Sequence, residues 1–582
     1  MLDARPGDAE ALYLLAQMRR VQKRFTEAED LYRRSLAIDA QRCEVHYHFG
    51  QLLRAAGKYT EALAAFEEAI RLQSNFVQAH LDRGLTLADL GEFRAAEKAY
   101  RTVLRFQPND LAAKQALSAA LIQLGRAAEA ERCAREALAR QPRDPLRAAA
   151  LSHNLAIALS GQHKHEEALR AFDRADRLKP QLPQADYNRA NTLQSMGRLA
   201  EAEAAYRRAL VRDPLDLKAH RALNELLFRL DRPDFLRSYD ESIARFPNHP
   251  ELSVEKGRYL LMSDRHAEAC DTFARALRSV PDDLAASDGY ASALARIGRL
   301  DDAVAQYEQL LRRPMVPVET HCHYVECLLR AGDGTRGLRA SETALTIAPH
   351  DQLALALWGT ALRQLGDSRE EVLNDYAKFV QVFDLEPPPE ISDMESFNTA
   401  LNACLDRLHV DQHAHVNQTS RFGTQTLGTL FGAGHEVIEL LKLRLDDAVA
   451  AYIANLPENP SHPLLGRRGR GFGYSGSWST RLHDCGFHTN HVHPKGWISS
   501  AYYVALPDVV GDDAGRQGWL QFGEPSFDAH LVHPVRLCVQ PRHGRLVLFP
   551  SYVWHGTVPF RAQQTRTTIA FDVAPTSWDG GP

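Results

Sequence analysis

The sequence predicts an α + β multidomain protein: an all-α repeat solenoid, a helical lead-in and an all-β sandwich or jelly-roll. Three observations carry this: small residues recurring every 34 positions, a proline run near residue 385, and a hydrophobic period of two from Tyr474 onward. A chain of 582 residues is too long for one compact core unless it is repetitive. Its 45% hydrophobic and 25% charged residues are those of a folded protein. A net charge of −5 gives no basic excess for nucleic acid or a membrane surface. Eight cysteines without a CxxC pair fit reduced thiols in a cytoplasmic protein. No basic-then-apolar leader opens the sequence and no apolar run reaches about 18 residues, so neither secretion nor membrane insertion is expected.

The solenoid comes first. Ala16, Gly50, Gly84 and Ser118 stand in one register, which resumes at Ala156 and runs through Ala190, Asn224, Gly257, Ala291, Val325 and Gly359. Twelve residues after most of these marks stands a second small residue, such as Ala28, Ala62 and Ala96. An aromatic follows four later, as at Tyr32, Phe66 and Tyr100, and prolines such as Pro108, Pro142 and Pro214 close the copies. Small residues on two helices let their backbones approach, the aromatic fills the gap toward the next copy, and proline stops the second helix. The pattern resembles the tetratricopeptide repeat (TPR) family over about 11 copies, which makes residues 1–385 a TPR superhelix.

No copy carries catalytic chemistry, so the array is expected to bind. By the resemblance, positions two before each mark line the concave face: His48, Asp82, Asn154, Asn188, Glu255 and His323. Asn154 and Asn188, in adjacent repeats, are the candidates for clamping the backbone of a protein or peptide partner. Taken singly, each also reads as part of a solvated helix face.

The segment DLEPPPEISD ends the repeats. Residues 386–470 are expected to be a lead-in and linker, helical over 393–456. The glycines and arginines of GRRGRGFGYSGSWS read as a solvated loop rather than a nucleic-acid site. Over 471–582, WISSAYYVAL, GWLQFGEP, RLCVQP, GRLVLFPS and TRTTIAFDV read as short strands separated by Gly, Pro and Asp turns. Evenly spaced strands without helices between them form a sandwich or jelly-roll.

The chemistry lies in GFHTNHVHPKGW. His491 and His493 flank Val492, so on extended backbone both imidazoles point the same way, an incomplete site for a borderline divalent ion. His555 follows a later apolar strand, and Arg566 opens the last one eleven residues on. His488 is an alternate ligand in a less convenient register.

Together, RFGTQTLGTLF, HVHPKGWISSAYYVALP, GWLQFGEP, FPSYVWHGTVPF and TRTTIAFDV resemble the bacterial 2-oxoglutarate/Fe(II) oxygenases related to prolyl hydroxylases, over about residues 405–575. The resemblance implies a double-stranded β-helix binding Fe(II), with 2-oxoglutarate as cosubstrate and O2 as oxidant. It makes His491 and His555 iron ligands and Arg566 the anchor of the cosubstrate's far carboxylate. Thr568, on the arginine's face of the strand, and Tyr502 or Tyr503 are expected to add hydroxyl contacts.

The departure is His493, where the superfamily carries a carboxylate. Either three histidines hold the iron, the reading preferred here, or a carboxylate such as Asp508 or Glu524 supplies the third contact. The function this implies is a 2-oxoglutarate/Fe(II)-dependent dioxygenase acting as a hydroxylase, with a TPR arm for a protein or peptide. The alternatives are a TPR scaffold with an inert metal-binding barrel, or a cupin-like oxygenase using Glu524.

Overall fold

In the computed structural model the described residues are 8–179, 184–409, 419–426, 429–432, 434–468 and 471–576. Parts of RFGTQTLGTLF and GRRGRG fall outside them. The chain divides into two units, Met1–Leu223 and Asn224–Pro582.

The first unit is a run of helical hairpins, beginning with Ala9–Val21 and Phe25–Ile38 and continuing with Cys43–Ala55 and Tyr59–Leu72. The marked small residues sit where the sequence places them, against the aromatics. A Cβ on Gly50 would lie 2.7 Å from the Phe66 ring, and one on Gly84 2.5 Å from Tyr100. Each ring therefore fills its own hairpin rather than only the gap to the next copy. Aspartates start helices: Asp110 accepts the Ala113 N–H at 2.7 Å, satisfying an amide the helix itself cannot pair. Gly57 and Gly91, at φ 76° and 79°, turn the chain between helices where a side chain would be strained.

The second unit continues the hairpins through Pro250–Met262, His266–Ser279, Leu284–Arg296, Leu300–Leu310, Val318–Arg330, Gly334–Ile347 and Gln352–Gln364. There the Phe273 ring is caught between Gly257 and Gly289, so in this copy it does bridge two repeats. A β-domain follows, with strands β1 (Gln381–Asp384), β2 (Ser420–Gln425), β3 (Phe472–His488), β4 (Ile498–Ala505), β5 (Leu520–Phe522), β6 (Leu537–Val539), β7 (Arg545–Pro550), β8 (His555–Thr557) and β9 (Arg566–Pro575). They form a large sheet in the order β1-β7-β4-β9-β3-β2 and a small one in the order β6-β5-β8. All pairings within both are antiparallel. This is a helical TPR region followed by a β-sheet domain consistent with the double-stranded β-helix.

Three features differ from the sequence expectation. The stretch 393–456 is not helical throughout: β2 lies between helices Met394–Asp406 and Glu436–Asn455. β1 falls inside the stretch read as repeats, and pairs with β7 from Gln381↔Leu548 to Asp384↔Arg545. The last repeats also share one core with the β-domain, running from Cys322 and Leu357 to Phe549 and Ile569. Trp554 Nε1 donates to Thr360 Oγ1 (3.0 Å), Tyr552 Oη to the Leu373 carbonyl (2.8 Å), and Arg363 Nη1 to the Gly523 carbonyl (2.8 Å). Repeats that end against a hydrophobic sheet need no separate polar cap.

Candidate metal centre

The HxH pair is not inside a long strand. His491 sits between β3 and β4 and makes a single antiparallel bridge with His555, at the head of β8. Its N–H donates to the His555 carbonyl at 2.9 Å, and the His555 N–H returns at 3.1 Å. The His493 N–H is held by the Ser551 carbonyl at 3.0 Å. Main-chain pairing thus brings His555 to a pair of side chains 62 or more residues before it in the chain.

Each imidazole spends its Nδ1 proton on an oxygen: His491 on Thr489 O (2.7 Å), His555 on Val553 O (3.0 Å) and His493 on Asp572 Oδ1 (2.6 Å). In the neutral tautomer that these contacts favour, all three Nε2 atoms are left as lone-pair donors. The ligand atoms of the three lie within 4.8 Å of one another. His491 Nε2 and His493 Nε2 are 3.1 Å apart. Two lone pairs at that distance repel unless a proton or a metal ion sits between them. Imidazoles about 2.1 Å from a metal and at right angles to each other are spaced by about 3 Å. The donor set therefore fits a metal ion.

Burial acts in the same direction. It pushes His491 down to about 3, with the neighbouring His493 adding to the effect, and holds His555 and His488 well below the usual histidine range. Burial thus favours the neutral form of His491 and His555, the form a ligand needs.

The triad opens onto a cavity of ≈ 460 Å³ between the sheets. Phe549, Leu520 and Trp478 supply apolar wall, and Arg566, Thr568, Ala570 and Asp572 come from alternate positions of β9. Arg566 is 2% exposed. Its Nε donates to the Gly518 carbonyl (3.0 Å) and its guanidinium lies 5.1 Å from the centre of the Tyr503 ring. Among the described residues no carboxylate pairs with it, so a buried cation faces the cavity without a counter-ion.

Other candidates lie elsewhere. Tyr502 faces away from the cavity, its hydroxyl donating to Asn398 Oδ1 at 2.8 Å. Tyr503 takes the inward side but sits beneath Arg566 rather than lining the cavity. Glu524 stands outside the triad, accepting from Asn490 Nδ2 (2.8 Å) and Gln521 Nε2 (3.1 Å). Asp508 is exposed and bonded to Gln564 (3.1 Å). His488 lines the cavity but directs Nδ1 to Thr557 Oγ1 (3.1 Å) and is not part of the triad. In the first unit Asn154 Nδ2 donates to the Gln115 carbonyl (3.2 Å) and Ser118 Oγ (2.8 Å), and Asn188 Nδ2 to His153 Nε2 (3.1 Å). Both amides tie neighbouring repeats together. The residue that the sequence reading passed over is Asp572. Extending the parity of Arg566 and Thr568 along β9 reaches it.

Residues 476–572 match the family model described as "Putative 2OG-Fe(II) oxygenase". Tetratricopeptide repeat models match residues 7–75 and 47–110, and 187–234, 236–283 and 271–317. The chain carries N-terminal TPR repeats and a C-terminal domain of that oxygenase family. Solved structures similar to the repeats include a tetratricopeptide repeat protein from Parabacteroides merdae (17% identity, 43% of this chain and 97% of that one, TM-score 0.37). Another is a thermophilic TPR protein of Thermus thermophilus (25%, 32% and 100%, TM-score 0.28). A third is YrrB, described as a TPR protein with an unusual peptide-binding site (18%, 33% and 96%, TM-score 0.28). Comparison with the curated proteins finds no match. Among the described residues no helix is long and apolar enough to cross a membrane.

Proposed function

We propose that the protein is a cytoplasmic Fe(II)- and 2-oxoglutarate-dependent dioxygenase that hydroxylates a protein or peptide substrate. The observation that carries this reading is the pairing, in one cavity, of three converging Nε2 donors with a buried arginine that lacks a counter-ion. An inert structural metal site has no use for such an arginine.

His491, His493 and His555 hold the iron. Bound there, iron(II) with 2-oxoglutarate and O2 supplies the oxidising power to hydroxylate a C–H bond while the cosubstrate becomes succinate and CO2. Arg566 receives the far carboxylate of 2-oxoglutarate as a bidentate pair, and the Thr568 hydroxyl lies on the same face of β9 to donate beside it. Tyr503 supports the guanidinium from below. Phe549, Leu520 and Trp478 keep bulk water from the reacting end.

A polypeptide substrate is favoured by a second cavity, of ≈ 900 Å³. It is lined by Arg258, Asp288 and His323 of the repeat helices and by Thr419, Arg421 and Ser526 of the β-domain. Thr419 lines both cavities, so an extended chain lying along the repeats reaches the metal pocket. Asn154 and Asn188 stay candidates for partner binding through their amide oxygens.

The test is cosubstrate binding. Arg566→Ala should weaken 2-oxoglutarate binding by at least tenfold, the cost of leaving a carboxylate without its charged partner, while the metal stays bound. Unchanged cosubstrate affinity would remove Arg566 from the site.

A further inference from the structure

The three candidate ligands are all imidazoles, which as neutral rings leave the charge of a divalent ion uncompensated. The compensation lies one bond further out. Asp572 Oδ1 accepts from His493 Nδ1 at 2.6 Å, with Asp572 7% exposed. A second donor, Ser499 Oγ, fixes the same oxygen at 2.7 Å and is itself paired with Ser551 Oγ at 2.8 Å. Both serines are fully buried. Trp478 stacks on the His493 ring, 5.6 Å between centres, so the imidazole is held by its edge and its face. Gly496 belongs to the same packing: a Cβ there would run into Ser551 and come within 3.3 Å of the Asp572 carboxyl carbon.

Among the described residues no lysine or arginine pairs with Asp572. A carboxylate taken out of water without a cation is costly, several kcal/mol after relaxation, and its one ring partner among the described residues is His493. The site is balanced once positive charge stands on the far nitrogen of the same ring. We infer that Asp572 is a positioning residue that supplies, through His493, the negative charge which a directly ligating carboxylate would otherwise bring. This inference rests on the metal-centre reading above.

Asparagine at 572 keeps the shape and the acceptor but removes the charge. The probe is Co(II), titrated against a chelator of known affinity into the metal-free full-length protein, with visible absorption reporting the metal's coordination. Asp572→Asn should bind Co(II) about 10–100-fold more weakly, with a shifted absorption spectrum, while the metal-free protein melts no lower than wild type. A merely structural role would instead lower the melting temperature and leave affinity and spectrum alone.

The charge swap separates the two further. His493→Asp alone sets two carboxylates against each other and should bind Co(II) more weakly still. His493→Asp with Asp572→Asn restores a single carboxylate, now as a direct ligand, and should recover binding to within about tenfold of wild type. Wild-type affinity in Asp572→Asn, or no recovery in the double variant, overturns the inference. No Co(II) binding by wild type overturns the metal-centre reading itself. Should Asp572→Asn not fold, His493→Asp decides alone: Co(II) binding as tight as wild type in that variant overturns the inference.

Discussion

His555 shows what the centre asks of one residue. Its Nδ1 is committed to Val553 O and its main chain to His491, so its Nε2 has one direction to face. His555→Ala removes a donor and leaves the other two facing each other at 3.1 Å. We expect Fe(II) binding to be lost altogether in a titration of the metal-free protein, with the fold intact by circular dichroism. Stoichiometric iron in the variant would contradict its role. At this scale the sequence showed the residues that share a local register, since HxH and the parity of Arg566 and Thr568 need only extended backbone. It did not show that Tyr502 faces Asn398, because which side of β4 meets a helix is decided by a pairing more than 100 residues away. Asp572 was readable from parity, but its meaning depends on His493, which comes from elsewhere in the fold.

Helices and strands were legible to different degrees. Repetition made the hairpins plain, and the close contacts bear out the small residues. Gly50→Ala forces a methyl into the Phe66 ring and should cost about 1–3 kcal/mol, of which alanine's helix propensity returns about 1 kcal/mol at most. A urea midpoint below wild type checks this. The amide of Asn188 rests on His153, whose burial pushes it down to about 4. The unfolded chain takes up that proton near its ordinary value of 6.5 while the folded one does not. The contribution is therefore whole above pH 6.5 and is lost progressively toward pH 4. Acid titration of urea stability should show less loss in His153→Phe than in wild type over that window. β1 and β2 escaped the sequence reading because each is short, lies beside helices, and gains its strand character from the partner it pairs with.

For the molecule as a whole, the proline run near 385 marks a change of pattern but not the edge of a folding unit. The repeats from Cys322 onward and the β-domain share one core, and Trp554, the neighbour of His555, is held by Thr360 on a repeat helix. A fragment of residues 386–582 loses β1 and that buried face, and should show no cooperative thermal transition, whereas 224–582 should melt cooperatively. A cooperative transition in the shorter fragment would contradict the shared core. The sequence missed this because a solenoid advertises each repeat equally and says nothing about what its last hairpin covers.

The proposed function requires that one cavity hold both the metal and the cosubstrate. The direct measurement is an anaerobic titration of the metal-free protein with Fe(II) and then 2-oxoglutarate, followed by visible absorption. A weak charge-transfer band is expected only when both are present, and is lost in His555→Ala. Bound iron with no band on adding 2-oxoglutarate would contradict the proposed function.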